Sequence, residues 1–185
     1  SAVIAGSNNT VLGAHSAVFG GDENTASGNA VVAIGGAGNE AKGSLTIAMG
    51  GQQNQADGFS SIALGGRNNV AIGGSSVLVG GGFNTTNSEK SVLVGGESNQ
   101  TSLEEGVNTQ YSSVFGGRFN NASDYCGAIF GGISNTLSTG LNEVPGYSSQ
   151  GKTIVGGADN VNVAGSFSTI LGGSGFLLEP RDTAY

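Results

Sequence analysis

Short apolar runs recur along the chain at a nearly constant spacing, and a pair of glycines follows almost every one. The residue before the pair is always apolar, as in Val92-Leu93-Val94 before Gly95. The pair recurs every 15 residues from Ala5, a degenerate first copy, to Gly95, and the later intervals are 21, 15, 25 and 16 residues. A three-residue run rich in β-branched side chains favours a strand that is too short to stand alone. The pattern therefore predicts about eleven stacked copies of one unit.

The second half of each unit is small and polar, with one recurring asparagine. Asn stands four residues after the first glycine position in ten copies: Asn9, Asn24, Asn39, Asn54, Asn69, Asn84, Asn99, Asn120, Asn135 and Asn160. Gly-Gly accepts positive φ at a sharp corner. Asn tolerates the left-handed conformation and bonds to nearby backbone, so we expect a structural turn at these positions and a ladder of stacked amides. Small Ala and Gly residues then let a narrow coil close.

These features predict an all-β fold, a parallel β-roll or β-solenoid of about eleven 15-residue coils. Alternate residues of each run are expected to line the interior. In Val92-Leu93-Val94 the two valines would then face inward and Leu93 outward. The outward residue is apolar in most copies as well, and a strand that is apolar on both faces is normally covered on both. The sequence therefore predicts that the coils pack against other chains.

Composition and charge exclude several classes of protein. The chain contains 36 glycines in 185 residues, which disfavours helices, and only 10% charged residues. The net charge of −7 argues against nucleic acid and anionic membrane surfaces as partners. One cysteine cannot form a disulfide within the chain, and no apolar stretch is long enough to predict membrane insertion.

The repeat resembles the head domain of YadA-like trimeric autotransporter adhesins. Ser61-Ile62-Ala63-Leu64-Gly65 and Thr46-Ile47-Ala48-Met49-Gly50 match that family's unit of Ser-Val-Ala-Ile-Gly and a small-residue return. The resemblance implies a left-handed roll, a homotrimer and an adhesive surface at a fibre end, and hence an extracellular, cell-surface location. Related repeats occur in phage tail fibres and other trimeric fibre tips. No metal or cofactor is implied.

Two insertions interrupt the period, near residues 102–110 and 138–149, within a predicted head of residues 1–173. Residues 174–185 break the pattern with bulky side chains, which predicts a C-terminal cap or junction. Both insertions leave the same edge of the roll, two coils apart, and solenoid insertions are often binding loops.

Tyrosines gather around the insertions, with Phe119 nearby in the sequence, and Tyr is favoured at recognition surfaces. The candidate ligand-binding residues are Tyr111, Tyr125, Tyr147, Glu104, Glu105, Asn108, Asn142 and Glu143. The expected partner is a glycan or protein on a target-cell surface. The alternative is that the loops are tolerated insertions and the tyrosines cover neighbouring coils.

No catalytic constellation emerges from the sequence. His15, the only histidine, is interpreted as a residue of a surface turn, and Cys126 occupies a repeat position held elsewhere by Ala30 or Ser60. The leading hypothesis is therefore a non-enzymatic adhesive head or fibre tip. A purely structural fibre or spacer segment is the alternative, and a tailspike that cuts polysaccharide, with paired carboxylates between chains, is the third.

Overall fold

Two long parallel sheets run along the molecule. The structure, a computed structural model, describes residues 1–102, 110–138, 151–163, 165 and 167–179. In chain order its strands are β1 (Ala2–Ile4), β2 (Thr10–Val11), β3 (Ala17–Phe19), β4 (Thr25–Ala26), β5 (Val32–Ile34), β6 (Glu40–Ala41), β7 (Ile47–Met49), β8 (Gln55–Ala56), β9 (Ile62–Leu64), β10 (Val70–Ala71), β11 (Val77–Val79), β12 (Thr85–Thr86), β13 (Val92–Val94), β14 (Gln100–Thr101), β15 (Ser113–Phe115), β16 (Asn121–Ser123), β17 (Ala128–Phe130), β18 (Thr136–Ser138), β19 (Thr153–Val155), β20 (Val161–Asn162), β21 (Thr169–Ile170) and β22 (Leu177–Leu178).

The odd-numbered strands form the first sheet and the even-numbered strands form the second, in strict order and all parallel. The predicted all-β parallel solenoid is confirmed, with about ten turns of about 15 residues where the sequence predicted eleven. Paired residues in neighbouring coils are one repeat apart, as in Ile47 with Ile62. The register is kept across both insertions, because Val92 pairs with Ser113 and Ala128 with Thr153.

Each coil has three sides. In one coil, β7 leads into the Gly50-Gly51 corner, Gln52 forms a single bridge to Arg67 of the next coil, and β8 follows on the second sheet. A turn then leads to β9. The bridge side and the second sheet were not predicted, because two-residue polar strands carry no recognisable hydrophobic period.

The interior is lined by the middle residue of each first-sheet strand, which corrects the inward and outward assignment made from the sequence. Leu93 is fully buried, whereas Val92 is half-buried and Val94 is 39% exposed. A 15-residue coil has room for only one inward side chain per three-residue strand, and that is the central one. An outer apolar face is still present, but it is formed by the first and last residues of each strand and not by the middle one.

Two facing side chains, one from each sheet, fill the apolar layer of each coil. The strands from β5 to β10 contribute only alanine, with Val31 buried just before β5, and later strands contribute larger residues such as Leu78, Ile129 and Leu137. Buried hydroxyls complete the later layers, since Thr86 Oγ1 bonds to Ser76 Oγ at 3.0 Å. The interior is therefore thin, and most of its larger apolar side chains lie in the C-terminal half.

A buried ladder of asparagine side chains joins the coils. Oδ1 of Asn54 accepts a bond from the backbone N–H of Asn69 in the next coil, at 3.1 Å. Nδ2 of Asn54 donates to the carbonyls of Gly50 and Gly66. The sequence predicted that the asparagine would adopt the left-handed conformation. In the structure the residue before it does so, for example Gln53 with φ of 54°. The asparagine is thereby left free to point inward and bond between coils.

The outer face of the first sheet is mainly apolar, with Ser113, Thr153 and Thr169 as polar positions toward the C-terminal end. Eleven strands at a spacing of about 4.8 Å make this face about 50 Å long. In the ten three-residue strands of the first sheet, the last residue faces outward, and these residues contribute most of the exposed apolar surface: Phe19, Met49, Val94, Phe115, Phe130 and Val155 are each 39–48% exposed. Phe115 and Phe130 stack with ring centroids 5.1 Å apart. We call this surface the apolar face.

The described part of the C-terminal segment continues the coil pattern. Ser174 bridges to Ala158, and β22 pairs with β20. The asparagine ladder ends here, because Oδ1 of Asn160 accepts from the backbone N–H of Phe176. The Phe176 ring lies close against Gly173, where a Cβ atom would be 2.2 Å from the ring.

Candidate functional site

The flanks of both insertions occupy the same place in the coil. Ser102 follows β14 and Ser138 ends β18, so each insertion leaves the turn between the second sheet and the next first-sheet strand. Six of the candidate ligand-binding residues lie outside the described residues: Glu104, Glu105, Asn108, Asn142, Glu143 and Tyr147. Tyr111 and Tyr125 are described, and they define the candidate site.

The two described tyrosines lie against each other at this turn, in adjacent coils. Their ring centroids are 5.6 Å apart at an interplanar angle of 81°, an edge-to-face contact. Tyr111 has φ of 64°, and this left-handed position directs its side chain away from the coil, so that it is 44% exposed. Tyr125 is half-buried. The structure thus brings together two of the tyrosines selected from the sequence.

Polar residues of the preceding coil extend the tyrosine pair. Lys90 Nζ lies 5.1 Å from the centroid of the Tyr111 ring and 3.3 Å from its hydroxyl. Nε2 of Gln110 donates to Oε2 of Glu89 at 2.9 Å. Sequence reasoning missed Glu89 and Lys90, which lie one coil before Tyr111, and Gln110, which is next to Tyr111 in the chain. We call Glu89, Lys90, Gln110, Tyr111 and Tyr125 the tyrosine patch.

A buried ion pair lies directly beneath the patch. Lys152 Nζ is 3.8 Å from Oδ1 of Asp124, both side chains are fully buried, and the ammonium donates to the carbonyl of Ser138 at 2.6 Å. In the repeat, Lys152 takes a place held by Ser76 or Ser91 in other coils. A buried charge requires a partner of opposite sign, so this pair fixes the chain on both sides of the second insertion.

The remaining reactive side chains do not join this patch. His15 is exposed in a turn six coils away, roughly 30 Å along the axis. Cys126 is adjacent to Tyr125 in the chain and is largely exposed. Partial burial of the thiol, chiefly, and the Asp124 carboxylate raise its pKa, which keeps the thiol protonated. Phe119 lies on a different corner, beside Arg118, and does not belong to the patch.

The chemistry available at the patch is that of recognition. It offers two aromatic surfaces, one ammonium, one carboxylate and an amide, all near the surface. In the described ranges, no group of three or more His, Cys, Asp or Glu residues is arranged to hold a metal ion. The same part of the chain contains no helix that is long and apolar enough to cross a membrane.

Comparison with known proteins leaves the structure as the main guide to function. Neither a protein-family model nor a curated protein matches the chain.

Proposed function

We propose that this chain is the non-enzymatic adhesive head or tip of a homotrimeric surface fibre, located outside the cell. The observation that carries the proposal is the apolar face, to which ten of the eleven first-sheet strands contribute an outward apolar residue. A monomeric protein rarely leaves so continuous an apolar surface in water. Three copies packed face to face would cover it, in keeping with the resemblance to YadA-like heads, which also implies a left-handed roll.

The tyrosine patch is the surface that we assign to target binding. It borders the two insertions and presents rigid aromatic side chains together with hydrogen-bonding groups, a composition that suits a glycan or a protein surface. In a trimer the patch would occur three times. Simultaneous engagement of three weak sites raises avidity by about 10²–10⁴ when ligands are dense, as they are on a cell surface.

A spacer function is the second candidate, and the regular asparagine ladder favours it. Coils joined by repeated buried amides make a rigid rod that could hold a binding module elsewhere. The two functions differ in what the tyrosine patch does.

Binding of the purified protein to arrays of glycans and extracellular matrix proteins, and to target cells, separates the two functions. The test variant is Tyr111→Ser with Tyr125→Ser, since Ser60 and Ser44 hold these two places in earlier coils. The matched control is Leu45→Ser, an exposed residue with φ of 61° at the same corner, four coils from Tyr111. An adhesive patch predicts loss of binding in the tyrosine variant alone. Absence of binding by the wild-type protein would support the spacer instead, and equal binding by both variants would place the binding surface outside the tyrosine patch.

A further inference from the structure

A second exposed aromatic surface lies on the corner between the bridge side and the second sheet. The left-handed residue of this corner is small or polar in most coils, for example Asn68 or Ser98. Phe83 and Phe119 are the exceptions: they have φ of 56° and 57° and are 49% and 50% exposed. A bulky side chain is disfavoured in this conformation, and two such residues on one corner point to a functional reason.

Each of these phenylalanines is paired with an arginine. Arg67 Cζ lies 5.1 Å from the centroid of the Phe83 ring, and Arg118 Cζ lies 4.9 Å from that of Phe119. A guanidinium that rests against a ring by its face keeps its N–H groups directed outward, where they can donate to a carboxylate. Among the described residues, neither arginine is in an ion pair.

The same corner continues as a polar groove in the preceding coils. A cavity of about 330 Å³ is lined by Gly38, Glu40, Gln53, Gln55, Asn68 and Val70. Its Glu40 carboxylate is already bonded to Lys42 and to Nε2 of Gln55. The groove and the two arginine–phenylalanine pairs therefore form one line along the axis, with amides at one end and aromatic rings at the other.

We propose that this line binds an extended acidic glycan. The faces of sugar rings carry C–H groups that pack on aromatic rings, sugar hydroxyls bond to amides, and sugar carboxylates accept from guanidinium N–H groups. Phe83 and Phe119 are two coils apart, about 10 Å, which is on the order of the length of a disaccharide. We call Arg67, Phe83, Arg118 and Phe119 the arginine–phenylalanine ridge.

The shape and charge of the ridge favour a linear polymer over a protein. A stable protein interface buries about 800 Å² on each partner around a packed centre, whereas the ridge is one or two side chains wide. The protein has a net charge of −7 but places two of its six basic residues here. Glu97 lies one coil before Arg118 and weakens the local positive potential, so its neutralisation should strengthen the binding of an acidic ligand.

The ridge shares no residue with the tyrosine patch or the apolar face. It lies on another corner of the coil, and each chain carries it whatever the oligomeric state. A negative result for trimerisation or for the patch therefore leaves this proposal standing.

Calorimetry with the full chain tests the ridge. The acidic probes are a hyaluronan octasaccharide, with a carboxylate in each disaccharide, and an alginate oligosaccharide, with one on every sugar. A chitin hexasaccharide is the uncharged, linear comparison. The expected result is binding of at least one acidic probe and weaker binding of chitin. Failure of both acidic probes to bind, or equal binding of chitin, would overturn the proposal.

Variants then assign the binding to the ridge. The double variant Phe83→Ser with Phe119→Ser introduces the residue found at this corner in neighbouring coils and should lower the affinity for the acidic probe about tenfold or more. The double variant Arg67→Gln with Arg118→Gln should lower it by a similar factor. Glu97→Gln should raise the affinity for the acidic probe. Phe59→Ser, which removes a phenylalanine that is 61% exposed on the opposite corner, should leave it unchanged. Unchanged affinity in both ridge double variants would place the glycan elsewhere and refute the assignment.

Discussion

The two glycines of each corner have different physical roles. At Gly65, φ is 65° and a Cβ atom would meet nothing within 4 Å. At Gly66, φ is 76° and a Cβ atom would lie 2.2 Å from the Gly81 carbonyl oxygen and 2.4 Å from Nδ2 of Asn69. The first glycine is needed only for its backbone conformation, which Ala5 adopts with φ of 64° in the first coil. The second is needed because the asparagine ladder and the next coil approach its Cα.

A pair of alanine variants should separate these roles. We expect Gly65→Ala to lower the free energy of unfolding by about 1–2 kcal/mol, the cost of placing Cβ in the left-handed region. Gly66→Ala adds a backbone collision and should cost about 4 kcal/mol or more. Thermal unfolding followed by circular dichroism measures both. Equal losses would contradict the division of roles between the two positions.

Asp57 should make stability depend on pH. Burial raises the pKa of its carboxyl, with Lys42 opposing and Glu40 adding to the shift, and Oδ1 is buried without a hydrogen-bond partner in the structure. A carboxyl whose pKa is raised by folding favours the folded state while it is protonated. That contribution is lost as the pH rises through the ordinary carboxyl range.

Asp57→Asn is therefore expected to raise the melting temperature at pH 7 and to have a smaller effect below pH 4. The side chain is only partly buried, so the gain should be modest. Glu23→Gln, at an exposed position, is the control and should change little at either pH. A lower melting temperature for the asparagine variant at neutral pH would show that the ionised carboxylate is stabilising.

At the scale of the coil, the layer beneath the tyrosine patch departs most from the repeat. Earlier coils carry serine or glycine where this layer places Asp124, and most of them carry serine or threonine where it places Lys152. Removal of one charge leaves the other buried without its ionic partner, whereas removal of both restores residue types that the other layers tolerate. The coupling between the two sites should therefore be large.

A double-mutant cycle tests that coupling. Asp124→Ser and Lys152→Ser should each cost about 3–5 kcal/mol, and the double variant should cost clearly less than their sum. Urea unfolding supplies the three values. If the losses are additive, the ion pair does not hold this layer together.

Some features of the strands could be predicted from the sequence and others could not. The period and the three-residue strands could be predicted because short apolar runs at a fixed spacing are typical of stacked coils, and β13 matches Val92-Leu93-Val94 residue for residue. Which side chains point into the interior could not be predicted, because Val92, Leu93 and Val94 are all apolar and either face could be the inside. The ladder could be anticipated from the recurring asparagine, but not the shift of the left-handed residue to its neighbour.

The candidate site was only partly accessible from sequence for a similar reason. Tyr111 and Tyr125 stood out by residue type and by their position beside the insertions. Lys90 belongs to the same patch through stacking of coils, and it is 21 residues from Tyr111 in the chain. Phe119 is close to Tyr125 in the sequence, yet β16 separates them, so Phe119 lies on another corner of the coil and belongs to the arginine–phenylalanine ridge.

At the scale of the whole molecule, the outer face of the first sheet is more apolar than that of the second. The first sheet presents Val32, Ile47, Ile62 and Val77 beside the exposed ends of its strands, and the second presents Thr25, Glu40, Gln55 and Gln100. The first sheet therefore has the stronger reason to leave water, although Val70 and Leu177 are apolar positions on the second. Covering an outward residue does not affect the core, because the adjacent middle residue, such as Ala63, fills the interior.

The substitution Ile62→Glu tests whether the apolar face is the contact between chains without changing the core. The substitution places a charge in the middle of the apolar face, near the midpoint of the solenoid, and leaves the buried layer of Ala63 unchanged. We expect the wild-type protein to have the mass of a trimer in light scattering after size exclusion, and the variant to dissociate toward monomers, since an unpaired charge is costly in an apolar interface. Gln100→Glu adds the same charge to the exposed face of the second sheet and should keep the wild-type mass. A monomeric wild type, or an Ile62→Glu protein as large as the wild type, would show that the apolar face is not the contact between chains.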